Sequence, residues 1–228
     1  MTGDVRMKIT PLGDDCALLS FGNEVSTVLN ARVRAIADSI SADPFRGFIE
    51  TVPAYSSLAV FYDPFSVPLM DDRKGPFESV KTIIERAAKD LSSEAPAPGR
   101  EVEIPVAFGG DSGPDLDFVA EHNGISIDEA VKIFTSGVYL VYFLGFLPGF
   151  AYMGELDISI QTPRKETPRT MVPAGSIGIA GNQTGIYPLD SPGGWQIIGR
   201  TDLTLFDPEA EPPALLAPGD RVTFIARN

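Results

Sequence analysis

GSIGIAGNQTGIYPLDSPGGW, residues 175–195, sets a run of glycines and two prolines against the chain's single tryptophan, Trp195. Its first three glycines are spaced G-x-x-G-x-x-G, whereas a dinucleotide fingerprint needs G-x-G-x-x-G where a strand turns into a helix. Ile177 and Ile179 alternate as they would on a strand. No G-x-x-x-x-G-K-[ST] loop occurs anywhere in the chain. The segment therefore reads as short strands and tight turns, not as a phosphate cradle. The same texture runs from Val138 to the C-terminus, with predicted strands at 139–143, 170–180, 195–199, 204–206 and 221–226. Short strands punctuated by Gly and Pro predict a closed or nearly closed β-barrel.

Working outward, EVEIPVAF (101–108) is strand-like and precedes two short helices, near PDLDFVAEH (114–122) and SIDEAVKIF (126–134). The second has a capping box, Ser126 with Glu129, and Gly137 is placed to end it. Residues 93–99 are small, polar and Pro-rich and predict a linker between a region 1–92 and a region 100–228. In the first region CALLSF (16–21), GFIETVP (47–53) and SLAVFY (57–62) read as strands. Val25, Val28, Leu29, Val33, Ile36 and Ile40 recur at helical spacing. A second helix starts near Pro76, with Phe77, Val80, Ile84, Ala87 and Leu91 on one face. These strands and helices predict a small sheet covered on one side by two helices, so the whole chain is expected to be α+β.

The 228 residues carry a formal net charge of -13, from 31 acidic and 18 basic side chains. Such a field repels polyanions, so neither nucleic acid nor an anionic membrane is an expected partner. The N-terminal residues show no apolar signal region, and one cysteine, Cys16, makes no internal bridge; both suit a reducing, cytoplasmic setting. The most apolar segment, residues 138–154, is short and broken by Gly145, Pro148 and Gly149, which fits core strand and turn rather than a membrane span.

Several chemistries lack their residues. The single histidine, His122, is placed at a helix end, where its charge suits the helix dipole, and no G-x-S-x-G elbow is present. One Cys and one His do not make an ordinary zinc site, although a carboxylate magnesium site leaves no spacing signature. What remains is a set of Gly, Pro, aromatic and Arg positions in TPRKETPR, VPAGS, GNQTGIYPLDSPGGW and IIGRT. Arg164 and Arg169 offer forked donors for a carboxylate or phosphate. Gln183, Thr184 and Tyr187 can orient an amide or acid, and Pro192, Gly193, Gly194 and Arg200 complete the candidate ligand- or partner-binding set. The same residues serve equally as barrel corners, with the arginines in surface ion pairs and Trp195 anchoring a strand.

The motifs GFLPGFAYMGEL (145–156), TPRKETPRTMVPAGSIGIAGNQTGIYPLDSPGGWQIIGRTDLTLFDP (162–208) and LLAPGDRVTF (215–224) closely resemble the family of 5-oxoprolinase B subunits, also called the KipI or allophanate hydrolase subunit 1 family. IPVAFGGDSGPDL (104–116) extends the likeness, and DDCALLSFG (14–22) and VPAYSSLAVFYDP (52–64) carry it more loosely into the first region. The resemblance implies an N-terminal α/β domain followed by a cyclophilin-like β-barrel. It also implies two companions, a C-type partner related to allophanate hydrolase subunit 2 and an A-type partner of the lactam-utilisation kind. Together these open 5-oxoproline to glutamate with ATP: phosphorylating the lactam oxygen makes an unreactive amide electrophilic. ATP is then used by the complex rather than held by this chain alone, and this chain shapes the substrate pocket. The family name also implies two alternatives, inhibition of a sensor histidine kinase and a role in an allophanate or related amide hydrolase. The sequence departs from many relatives at Phe134, where a histidine is expected, and at Val138, where a glutamate is expected. Ile127, Ala130, Val131 and Phe134 share a helix face, which predicts a buried Phe134.

Overall fold

The computed structural model describes residues 7–71, 73–90 and 99–227. The chain divides into two compact units, Met1–Ala97 and Pro98–Asn228. Of the predicted linker, 93–99, only Gly99 is among the described residues, and Leu91 also lies outside them.

In the first unit, β1 (Lys8–Pro11), β2 (Cys16–Ser20), β3 (Phe48–Pro53) and β4 (Ser57–Tyr62) form an antiparallel sheet of order β1-β2-β4-β3. Ala17, Leu19, Leu58, Val60 and Tyr62 alternate onto its buried face. Helix α1 (Thr27–Ala42) starts where the Ser26 hydroxyl accepts the Leu29 N–H at 3.4 Å. It buries Leu29, Val33, Ile36 and Ile40. Val25 precedes the helix, and Val28, one residue off that stripe, is 75% exposed. Helix α2 (Pro76–Asp90) adds Val80 and Ile84 to the same core.

The second unit is built on a closed barrel. Its strands are β5 (Glu101–Phe108), β6 (Tyr139–Leu144), β7 (Ala151–Gly154), β9 (Ser176–Ala180), β10 (Gln183–Ile186), β12 (Gln196–Arg200) and β13 (Arg221–Ala226), in the cyclic order β10-β7-β6-β13-β5-β12-β9. Every pairing is antiparallel except β13 with β5, which runs parallel from Arg221↔Glu101 to Ala226↔Val106. Two helices, α3 (Leu116–Asn123) and α4 (Ile127–Ser136), lie against β12 and β13. The capping box is present: Ser126 Oγ accepts the Glu129 N–H at 3.2 Å, and Gly137 caps the other end.

The predicted strand 170–180 is two strands, β8 (Arg169–Val172) and β9, because Pro173 and Gly175 turn the chain between them. The predicted strand 204–206 is absent; only Phe206 bridges, to Ala214, while Leu205 is buried among side chains. A short ribbon instead forms between β8 and β11 (Ser191–Gly193), with Gly193 opposite Arg169. Phe134 is 1% exposed and stacks on Tyr139 and Phe224 with ring centres 5.1 and 4.8 Å away. The residue in the family histidine's place is thus a core member. Ile127, expected on the same buried face, is exposed in the first turn of α4. Among the described residues no helix is long and apolar enough to cross a membrane.

Candidate functional site

Aromatic side chains from three parts of the barrel sequence meet beside the β8–β11 ribbon. Phe150 stands edge-on to Tyr187 (5.2 Å, 83°) and to Trp195 (5.6 Å, 86°), and Tyr152 meets Trp195 at 5.9 Å. These T-shaped contacts set the positive edge of one ring against the negative face of the next. Two glycines permit the arrangement by close approach. A Cβ on Gly178 would lie 2.9 Å from the Trp195 Cβ, and one on Gly193 would lie 2.5 Å from the Tyr187 hydroxyl. The Trp195 backbone amide acts to lower the Tyr187 phenol. Burial, the larger effect, nevertheless pushes the Tyr187 phenol up, so it remains a neutral group at ordinary pH.

Against this aromatic floor lies a cavity of about 210 Å³, lined by Phe146, Phe150, Tyr152, Arg164, Pro168, Tyr187, Trp195 and the Pro192–Gly194 turn. Arg164 holds its guanidinium 5.8 Å from the centre of the Trp195 ring. That distance suits a cation–π contact. Among the described residues no carboxylate lies within ion-pair distance of Arg164. Burial raises the Tyr152 phenol above its ordinary value, and the Arg164 charge pulls the other way.

The loop carrying Arg164 is fixed at several points. Gly181 N–H donates to the Thr162 carbonyl (2.8 Å), Gln196 Nε2 to the Pro163 carbonyl (2.9 Å) and Lys165 N–H to the Gly194 carbonyl (2.8 Å). Beneath it sits Asp115, which is 5% exposed. Its carboxylate accepts both terminal nitrogens of Arg169 at 2.7 Å, Lys165 Nζ at 3.1 Å and the Ile197 N–H at 2.7 Å. Burial opposes the charge on Asp115, but Arg169, the Ile197 N–H and Lys165 together hold its carboxyl below the ordinary range.

The structure brings Arg164, Tyr187, Pro192, Gly193 and Gly194 to one cavity. It places four other candidates elsewhere. Arg169 is committed to Asp115, so its fork is used inside the protein. Thr184 is fully buried in β10 and donates to the Gly178 carbonyl at 2.9 Å. Gln183 begins β10 opposite Ala180, and the exposed Arg200 donates to the Ala174 carbonyl at 2.9 Å; neither lines the cavity. Trp195 both precedes β12 and forms part of the floor. Phe146, Phe150, Tyr152 and Asp115 escape sequence reasoning, although the crowded aromatics of FLGFLPGFAY carry a signal for the first three. His122 lies in the last turn of α3, its ring centre 5.9 Å from that of Phe118, and does not line the cavity. Among the described residues no group of three or more His, Cys, Asp or Glu is arranged to hold a metal. The cavity can therefore bind and orient an anion with an apolar body; it offers a cation and neutral phenols rather than a nucleophile–base pair.

The family model described as carboxyltransferase domain, subdomain C and D, matches residues 7–216. The chain is 48% identical to the 5-oxoprolinase B subunit of Bacillus subtilis (strain 168), over 97% of this chain and 93% of that protein. It is 40% identical to the 5-oxoprolinase B subunit of Escherichia coli O157:H7, over 98% and 97% of the two chains. Among solved structures, TTHA0988 superposes with a TM-score of 0.80 at 38% identity; 93% of this chain is covered, and it spans 40% of that longer protein. The chain thus belongs to the carboxyltransferase subdomain C and D family and to the family of the 5-oxoprolinase B subunits.

Proposed function

We propose that this chain is the B-type subunit of an ATP-dependent 5-oxoprolinase and forms one wall of the substrate pocket, completed by a C-type partner and working with an A-type partner. The observation that carries the reading is Arg164. It is an arginine without a protein carboxylate partner among the described residues, set over an aromatic floor in a cavity of about 210 Å³. That volume is below the roughly 300–1,000 Å³ common for larger ligands. It suits a small ring bearing a carboxylate, which is the form of 5-oxoproline. The likeness to two proteins named as B subunits of 5-oxoprolinase supports the same assignment.

The residues present do not fit ATP. One guanidinium and no glycine-rich phosphate loop face the cavity, so we assign ATP to one of the partners. In the assembly ATP supplies the phosphoryl group that activates the lactam carbonyl. This chain's residues hold what is activated: Arg164 pairs with the carboxylate, Phe150 and Trp195 pack on the ring, and Tyr187 remains a neutral hydroxyl at the floor. Positioning of this kind lowers the barrier by fixing the reacting group relative to its partner.

The test is co-expression with the A-type and C-type partners, followed by measurement of ATP-dependent glutamate release from 5-oxoproline. Turnover is expected only in the complete assembly. A complete assembly without turnover refutes the assignment. Arg164→Ala is expected to raise KM by about tenfold or more, as loss of a charge-assisted contact implies, and Tyr187→Phe to reduce kcat/KM more modestly. Unchanged turnover in both variants, with folding verified, would remove the cavity from the reaction.

A further inference from the structure

We propose that Phe146 is a ligand-contacting wall of this cavity that selects a flat, carboxylated small ring. The proposal rests on the reading of the cavity as a substrate pocket. The Leu147 N–H donates to the Gly145 carbonyl at 2.8 Å, around Phe146 at φ 69°. A bond spanning two residues about a positive φ is the rarer form of γ-turn, and it is strained for any residue with a Cβ. Glycine adopts this conformation freely, and the same loop has glycines at 145 and 149, yet a phenylalanine occupies the strained position. Burial does not compensate for the strain, because Phe146 is 62% exposed.

What the turn achieves is aim. Phe146 stands edge-on to Phe150 at 5.6 Å and to Tyr187 at 6.5 Å, and lines the cavity together with Arg164 and Trp195. Strain held at an exposed aromatic on a cavity rim fits a ligand clamp better than a packing residue. The rings of Phe146, Phe150 and Tyr187 supply apolar surface for a ring, and the Arg164 fork supplies a partner for its carboxylate. Phe146 narrows the space between them, so bulkier or open-chain acids lose the contact.

The test compares the wild-type chain with Phe146→Gly, both full length. Glycine keeps the turn and releases the strain, so the thermal midpoint is expected to rise by about 2–4 °C. Titrating 5-oxoproline against the emission of Trp195, the chain's single tryptophan, should show binding weakened about fivefold or more in the variant. A higher midpoint with weaker binding supports the proposal. Unchanged affinity overturns it, as does a fall in midpoint accompanying the weaker binding, which would make Phe146 a packing residue. Absence of saturable 5-oxoproline binding by the wild type, both alone and assembled with its C-type partner, also overturns it. Saturable binding by this chain, with no turnover in the complete assembly, removes the oxoprolinase assignment and leaves the wall in place.

Discussion

Asp115 stands at the N-terminal boundary of α3, but its carboxylate makes no cap hydrogen bond and instead organises residues far away in sequence: Arg169, Lys165 and Ile197 all donate to it. Removing its charge would leave Arg169 and Lys165 unneutralised in a half-buried site. Fully buried pairs lose about 3–5 kcal/mol when broken. Here the two cations keep 27% and 30% side-chain exposure, so Asp115→Asn is expected to cost less, about 2–3 kcal/mol in urea unfolding. The folded-state carboxyl lies below its ordinary value of 3.8. Its stabilising contribution is therefore complete above the unfolded value and is lost as pH falls through the lower folded one. The stability gap between wild type and Asp115→Asn should accordingly narrow below about pH 4. A gap constant down to strong acid would refute the charge argument. At this scale the sequence displays the arginines without their partners. Arg164 and Arg169 look alike in TPRKETPR; only the fold reveals that a buried carboxylate 54 residues upstream claims one and leaves the other to the cavity.

Elements with local signals were legible. The Ser126 cap, the α2 stripe and the strands β2, β3, β4 and β5 carry their own periodicity or capping residues. Strands β7, β10 and β11 have four, four and three residues, and each includes a glycine. Glycine has low intrinsic strand preference, so these strands exist because neighbours pair with them. The break between β8 and β9 shows the reverse case, in which turn residues override an apolar run. Gly175 sits at φ 81°, where its N–H donates to the Tyr187 carbonyl at 2.7 Å and its carbonyl accepts the Thr201 N–H at 2.9 Å. A Cβ there would lie 2.1 Å from the Thr201 carbonyl oxygen. Gly175→Ala therefore meets both a backbone penalty and a collision with backbone that does not move aside easily. It is expected to destabilise the protein by more than about 2 kcal/mol, read from a lower urea midpoint at unchanged slope. A variant as stable as wild type would show that the turn can be rebuilt.

At the scale of the whole molecule, barrel closure depends on the chain's two most distant barrel segments. The last strand, β13, lies between β5 and β6, and its Val222 and Phe224 are buried in the barrel core. This closing contact joins residues about 120 positions apart, so no local window of sequence could display it; the Gly/Pro texture indicated a barrel without its strand order. The second unit also has a core of its own residues. A fragment of residues 98–228 is therefore expected to fold alone, with one cooperative unfolding transition and Trp195 emission typical of a buried indole. Removing residues 221–228 from the full chain should instead open the barrel between β5 and β6. Without β13, both strands acquire bare edges and the apolar faces around Phe134 lose their cover. The expected product has exposed Trp195 emission, binds a hydrophobic dye and aggregates on concentration. If that truncated chain keeps cooperative unfolding and native Trp195 emission, closure through β13 is not what holds the aromatic floor in place.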